Sequence, residues 1–207
     1  MYHRSSLPDE KFHYIAIKRS NTTISNYMKK IIIPLLVTIL LVSFATANAQ
    51  EAQNPIVSGF GGIYEIPGSI QPDPGIEYKI VIDLKSLQTD KSQINPGLNN
   101  VARMMNLHGL GGVSREDLHV VVVTHGGATE AILNNAGYRR KNGVDNPNPE
   151  LISALKDAGA EIFVCGQSLL ARGYELEEVN PDVTIGLSML TVVTEHMHKG
   201  YQLLVFD

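Results

Sequence analysis

The sequence predicts an α/β fold, a three-layer α/β/α sandwich on a five-stranded, mainly parallel sheet. Three observations predict it. Strand-like and helix-like patterns alternate from Tyr78 to the last residue, Asp207. Every interval between successive strand patterns is long enough for a crossover helix, which parallel pairing requires. The run Leu118-His119-Val120-Val121-Val122-Val123-Thr124 is apolar without alternation, as a central strand covered on both faces should be.

The elements come in this order. Lys79-Ile80-Val81-Ile82-Asp83-Leu84 reads as the first strand. From Gly97 to Leu110, Leu98, Val101, Met105 and Leu110 fall on one helical face, and Gly109, Gly111 and Gly112 end the helix. The valine run is the second strand. Gly127 to Asn134 suits a short helix, and Asn135 to Asn148 reads as a polar loop, with Tyr138-Arg139-Arg140-Lys141 as its solvated basic rim or, alternatively, as an attractor for an anionic substrate or a partner protein. A further helix has Asn148 as its expected cap, Pro149 at its first position and Gly159 beyond its end, with Leu151, Ile152, Leu155 and Ala158 as the buried stripe. Ala160 to Cys165 is the third strand, Gln167 to Arg172 a short helix stopped by Gly173, and Val183 to Leu187 the fourth strand. Ser188 is placed to cap a helix from Met189 to Lys199, and Tyr201 to Phe206 closes the sheet.

The residues before Tyr78 divide differently. Met28-Lys29-Lys30 is a positive head, 31–44 is almost wholly apolar, and Ala47-Asn48-Ala49 offers small residues at a cleavage site before Gln50. That order is the anatomy of a secretory signal. The run falls short of the roughly 20 residues a spanning helix needs. Residues 1–27 are expected to be an over-extended start or a long head region, and neither belongs to the fold. Residues 50–77, rich in Gly and Pro, read as an irregular arm over the domain. The cluster Gly59-Phe60-Gly61-Gly62 follows no strand and opens no helix, so a dinucleotide loop is not expected.

The formal net charge is −4 and no block of like charges occurs, so nucleic acid and anionic membrane surfaces are not expected partners. The 207 residues contain one cysteine, Cys165, which rules out an internal disulfide and a Cys-x-x-Cys exchange mechanism. No Gly-x-Ser-x-Gly elbow is present to serve a hydrolase. His196 and His198, two apart on a helix, point to nearly opposite sides and cannot share a metal. Neither a metal nor a cofactor is expected.

In parallel sheets, reactive groups gather beyond the carboxyl ends of the strands. Two residues stand there. Cys165 ends the third strand, and Gly166 comes next, leaving the sulfur unshielded. A thiol at a helix start faces unpaired N–H groups and the positive end of the dipole, which favour thiolate. Free cysteine is equally at home as a small core residue, and position alone weighs the two readings evenly. His125, followed by Gly126 and Gly127 after the valine strand, suits a proton shuttle or a ligand, although a histidine bonded to a neighbouring loop is the plainer reading. Asp83, ending the first strand, is a weak candidate for holding a cation.

Asn146-Pro147-Asn148-Pro149-Glu150-Leu151-Ile152, Ala158-Gly159, Val164-Cys165-Gly166-Gln167-Ser168 and Arg172-Gly173 resemble the DsrE/DsrF-like family, and its exported members most closely. The likeness runs from Tyr78 to Phe206 and takes in Thr124-His125-Gly126, Ser188-Met189 and Gly200-Tyr201. The resemblance implies the same sheet and a sulfur carrier, in which Cys165 holds sulfane sulfur as a persulfide and passes it to a partner protein. It also implies a homo-oligomer, a trimer or hexamer, and donor and acceptor proteins for sulfur. The residues expected to line or support the site are His125, Gly126, Gly166, Gln167, Ser168 and Ser188, and for His125 the family supplies no role. The expected location is periplasmic or secreted, with no stable membrane insertion once the signal is removed. The competing expectation is a non-catalytic module that binds a small ligand or stabilises an oligomer, with Cys165 packed inside.

Overall fold

The computed structural model describes residues 30–31 and 50–207. The segments 1–27 and 28–49, read above as a leader and a signal, lie outside the described residues apart from Lys30 and Ile31. Among the described residues no helix is long and apolar enough to cross a membrane.

Five strands, β1 (Tyr78–Leu84), β2 (Leu118–Thr124), β3 (Glu161–Cys165), β4 (Thr184–Gly186) and β5 (Gln202–Phe206), form one sheet in the order β4-β3-β2-β1-β5. Every pairing is parallel, with Ile82 beside Val122, Val123 beside Phe163, Cys165 beside Gly186 and Ile82 beside Leu204. The helices are α1 (Pro96–Leu110), α2 (Asn135–Asn142), α3 (Pro149–Asp157), α4 (Gly166–Ala171) and α5 (Met189–His198). Short 3-10 turns run over Gly126–Ile132 and Leu176–Glu178.

The valine run is central, as its uninterrupted apolar character requires. Val120 and Val122 face one core with Ile80, Ile82, Leu84, Ile162 and Val164, covered by Leu98, Val101 and Met105 of α1 and Leu151, Ile152 and Leu155 of α3. Val121 and Val123 face the other core with Val81, where Val193 and Val192 of α5 cover them. The two apolar layers are unequal, the first being much the larger. Successive strand residues point to opposite faces, so Cys165 joins Phe163 on the α5 side.

Three local expectations are corrected. The stretch read as a polar loop contains α2, whose cap Asn134 accepts the Gly137 N–H at 2.9 Å and whose end is Gly143 at φ 75°. Tyr138, read as part of a solvated rim, is fully buried on that helix, with its hydroxyl donating to Lys91 O at 3.0 Å. Arg139, Arg140 and Lys141 are exposed, as a solvated rim requires, and Arg140 also makes two 2.6 Å bonds to the Glu178 carboxylate.

The third concerns Asn148. It does not cap α3 with its side chain. Its Oδ1 accepts the Asn95 N–H at 2.6 Å and its Nδ2 donates to Gln88 Oε1 and Asn146 Oδ1. Asn95 in turn caps α1, accepting the Gly97 and Leu98 amides at 2.9 and 3.1 Å. Buried amides must find partners, and these do so across a cluster that joins α1 to α3.

The Gly- and Pro-rich segment feeds the core directly. Ile56, Val57 and Ile63 are buried, and Ile63 and Gln53 form an isolated antiparallel bridge. Gly61 has φ 62°, and a Cβ there would meet Arg103 N at 2.2 Å, so this loop can rest on α1 only with glycine.

Candidate functional site

The site forms where β1, β2 and β3 end. Cys165 is the last residue of β3 and the residue from which α4 starts. Beside it, Ser188 starts α5 and accepts the Leu190 N–H at 3.2 Å. The amino ends of two helices therefore converge on one sulfur. Cys165 Sγ lies 3.9 Å from Ser188 Oγ.

The residue is 4% exposed, so the thiol is covered rather than open. Its surroundings are polar nonetheless. Burial alone would raise its pKa, but the Met189 amide, the Ser168 hydroxyl and amide and the Ser188 hydroxyl outweigh that penalty, and the net shift is downward. Cys165 closes no full capping hydrogen bond on α4. The effect is one of several N–H and O–H dipoles aimed at sulfur, the arrangement that stabilises thiolate at helix starts.

Gly166 has a role different from the one expected. A Cβ there would stand 2.9 Å from Gly186 O and 3.4 Å from Ile185 Cγ2, so glycine is needed to bring β4 against the start of α4. Gln167 is exposed and its Nε2 makes a long 3.4 Å bond to Leu187 O. Ser168 Oγ accepts the Gly126 N–H at 3.4 Å, which ties the turn after β2 to α4.

His125 joins Asp83, not Cys165. Its Nε2 lies 2.6 Å from Asp83 Oδ1, with both side chains less than one-fifth exposed. Asp83 is therefore engaged by a side chain and is not held open for a cation. Among the described residues, no group of three His, Cys, Asp or Glu side chains converges as a metal site would. His108 bonds Met104 O, His119 pairs with Glu77, and His196 bonds Val192 O while its ring meets Tyr201 edge-on at 5.1 Å. Two open grooves, both touching His108 near the amino end of β1, do not reach Cys165.

The profile of the DsrE/DsrF-like family matches residues 79–206. The chain belongs to the DsrE/DsrF-like family. Its matched stretch spans the whole sheet and ends with β5, so the family fold and the strand order above describe the same unit. Two solved structures are similar, a protein of unknown function, MTH1491, from Methanobacterium thermoautotrophicum and the ychN protein from E. coli. Each is 18% identical with a TM-score of 0.44, over 62% of this chain and 99% of its own. No curated protein matches.

Sequence reasoning singled out Cys165 of this DsrE/DsrF-like chain from its place at a strand end. It missed the Met189 amide as a donor and Asp83 as the partner of His125. No sequence signal points to the first, since a backbone N–H carries no identity. The second had a signal in the carboxylate next to the end of β1, beside the strand that His125 follows.

Proposed function

We propose that this protein is a sulfur carrier in which Cys165 holds sulfane sulfur as a persulfide. The supporting observation is the convergence of the α4 and α5 starts on one sulfur, which favours its anion in spite of burial. The thiolate attacks the outer sulfur of a donor persulfide, an S–S bond forms to Cys165, and the donor leaves as its thiolate. An acceptor thiolate reverses the step. Sulfur moves with no net oxidation, so a single cysteine suffices and no resolving partner is needed.

The proposal includes export and assembly. Met28-Lys29-Lys30, the apolar run and Ala47-Asn48-Ala49 support removal of a signal before Gln50 and work in the periplasm or outside the cell. Assembly as a trimer or hexamer, and transfer to an acceptor protein, rest on the family resemblance. The exposed residues Leu170, Ile185, Leu187 and Leu190, close in sequence to Cys165 and Ser188, are available for such contacts.

The test is mass spectrometry after incubation with polysulfide. The expected result is the mass of one added sulfur on the Cys165 peptide, removed by dithiothreitol and absent in Cys165→Ser. An unmodified Cys165, or an equal gain in the serine variant, would overturn the reading.

The low exposure of Cys165 favours a second reading, a non-catalytic module in which the thiol is packed. That reading predicts slow alkylation of the folded protein at neutral pH and rapid alkylation after denaturation. The carrier predicts appreciable reaction in the folded state.

A further inference from the structure

The Asp83–His125 pair is only half-exposed to solvent at most, yet nothing in the sulfur-transfer step uses it. Its side chains are 18% and 19% exposed and their contact is 2.6 Å. Lys85, two residues beyond Asp83, is committed elsewhere, to Asp207 at 2.8 Å. The pair links the ends of β1 and β2, and the turn after His125 reaches the neighbourhood of the cysteine. The His125 backbone is extended and Gly126 has φ 53°, a left-handed conformation that favours glycine. The chain thus reverses sharply after the histidine. The Gly126 N–H then points at Ser168 Oγ, 3.4 Å away.

A serine hydroxyl has one proton to give and two lone pairs to receive. When Gly126 donates to that oxygen, one lone pair is occupied and the hydroxyl is polarised as a donor. Ser168 stands three residues after Cys165, on the first turn of α4, and its hydroxyl is among the groups that favour the Cys165 thiolate.

We propose that the Asp83–His125 pair is a positioning device for Cys165. It fixes the turn at Gly126 so that the Gly126 amide holds Ser168 Oγ and directs the serine proton at the sulfur. His125 is a positioning residue and does not touch the reacting atoms. The chain of contacts runs Asp83, His125, Gly126 and Ser168, and ends on the first turn of α4, three residues from Cys165. This proposal deepens the sulfur-carrier reading and rests on Cys165 being the reactive group.

The experiment measures the rate of iodoacetamide alkylation of Cys165 against pH in the full chain, with circular dichroism confirming the fold of each variant. Asp83→Ala and His125→Ala are expected to lower the thiolate fraction at neutral pH by about threefold to tenfold, the worth of one hydrogen bond. Ser168→Ala should do the same. Adding Asp83→Ala to Ser168→Ala should change nothing further, because the path is already cut. A pH profile unmoved by Asp83→Ala, or a full additional shift on the Ser168→Ala background, would overturn the proposal. His125→Gln keeps an N–H donor for Asp83 and should retain the native profile. A shift equal to that of His125→Ala would also overturn it, and this variant decides the matter even if Asp83→Ala does not fold. Alkylation reads the thiol and not the persulfide. A protein that shows these shifts yet takes up no sulfur keeps the device and loses the function.

Discussion

Asn106 Oδ1 accepts the Ile56 amide at 2.9 Å and the Val57 amide at 2.7 Å, so one side chain on α1 holds the backbone of a segment about fifty residues earlier. Its Nδ2 completes the clasp by donating to Phe60 O and Gly61 O at 2.9 and 3.1 Å. Asn106 is fully buried. Asn106→Ala strands two buried amides and the Gly61 carbonyl, while Phe60 O keeps a donor in the Asn54 side chain; each stranded group costs about 1 kcal/mol or more unless water enters. The expected loss is about 3 kcal/mol, read from the urea midpoint. A loss under about 1 kcal/mol would mean that the segment 51–77 contributes little to stability.

The downward shift of the Cys165 thiol predicts a pH-dependent stability with a definite sign. An acid whose pKa is lower in the folded state stabilises the fold when ionised. That contribution is complete above the unfolded thiol value of about 8.5 and is lost as pH falls through the lower folded value. The stability difference between the native chain and Cys165→Ser should therefore widen from pH 6 to pH 9. A difference that narrows with rising pH would show that the sulfur is held as the neutral thiol.

The strands and the cysteine were legible because their signals are local. Four valines in succession define a strand covered on both faces, and the step from Phe163 and Val164 to Cys165-Gly166 marks the end of the next one. What escaped was set by distant residues. Asn106 and Asn148 look like ordinary polar positions, and their roles depend on partners far away in the chain, Ile56 for one and Gln88 for the other. The helix Asn135–Asn142 has poor intrinsic propensity and no apolar stripe. It stands because Tyr138 is buried and Arg140 is held by Glu178. The cap expected of Asn148 failed for a related reason, since its side chain was already claimed by the Asn95 cluster. The sequence weighed an open and a packed Cys165 evenly and could not choose, because the cover comes from the start of α5, more than twenty residues on.

Gly166→Ala tests how tightly β4 is held against the start of α4. The added methyl would approach Gly186 O, a backbone atom with no rotamer to yield. The expected cost is about 1–3 kcal/mol, the range for overpacking a filled site. Movement of β4 also shifts Ser188, so alkylation of Cys165 should change in the same variant. Native stability with native alkylation would show that the two segments have room that the geometry denies.

Ser188 serves both the helix and the sulfur, and two substitutions separate the roles. Ser188→Ala removes the acceptor for the Leu190 amide, and losing such a cap costs about 1 kcal/mol. The Met189 amide remains, so alkylation at neutral pH should fall only modestly. Ser188→Asp restores an acceptor for the helix start but sets a carboxylate beside the sulfur, which Ser188 Oγ now approaches to 3.9 Å. Two like charges at that distance repel by about 4 kcal/mol at an effective dielectric constant near 20. Stability should stay near the native value while alkylation at neutral pH falls by at least tenfold. If the aspartate variant alkylates as fast as the native chain, the sulfur is not ionised in the folded protein, and the converging helix starts do not serve the chemistry assigned to them.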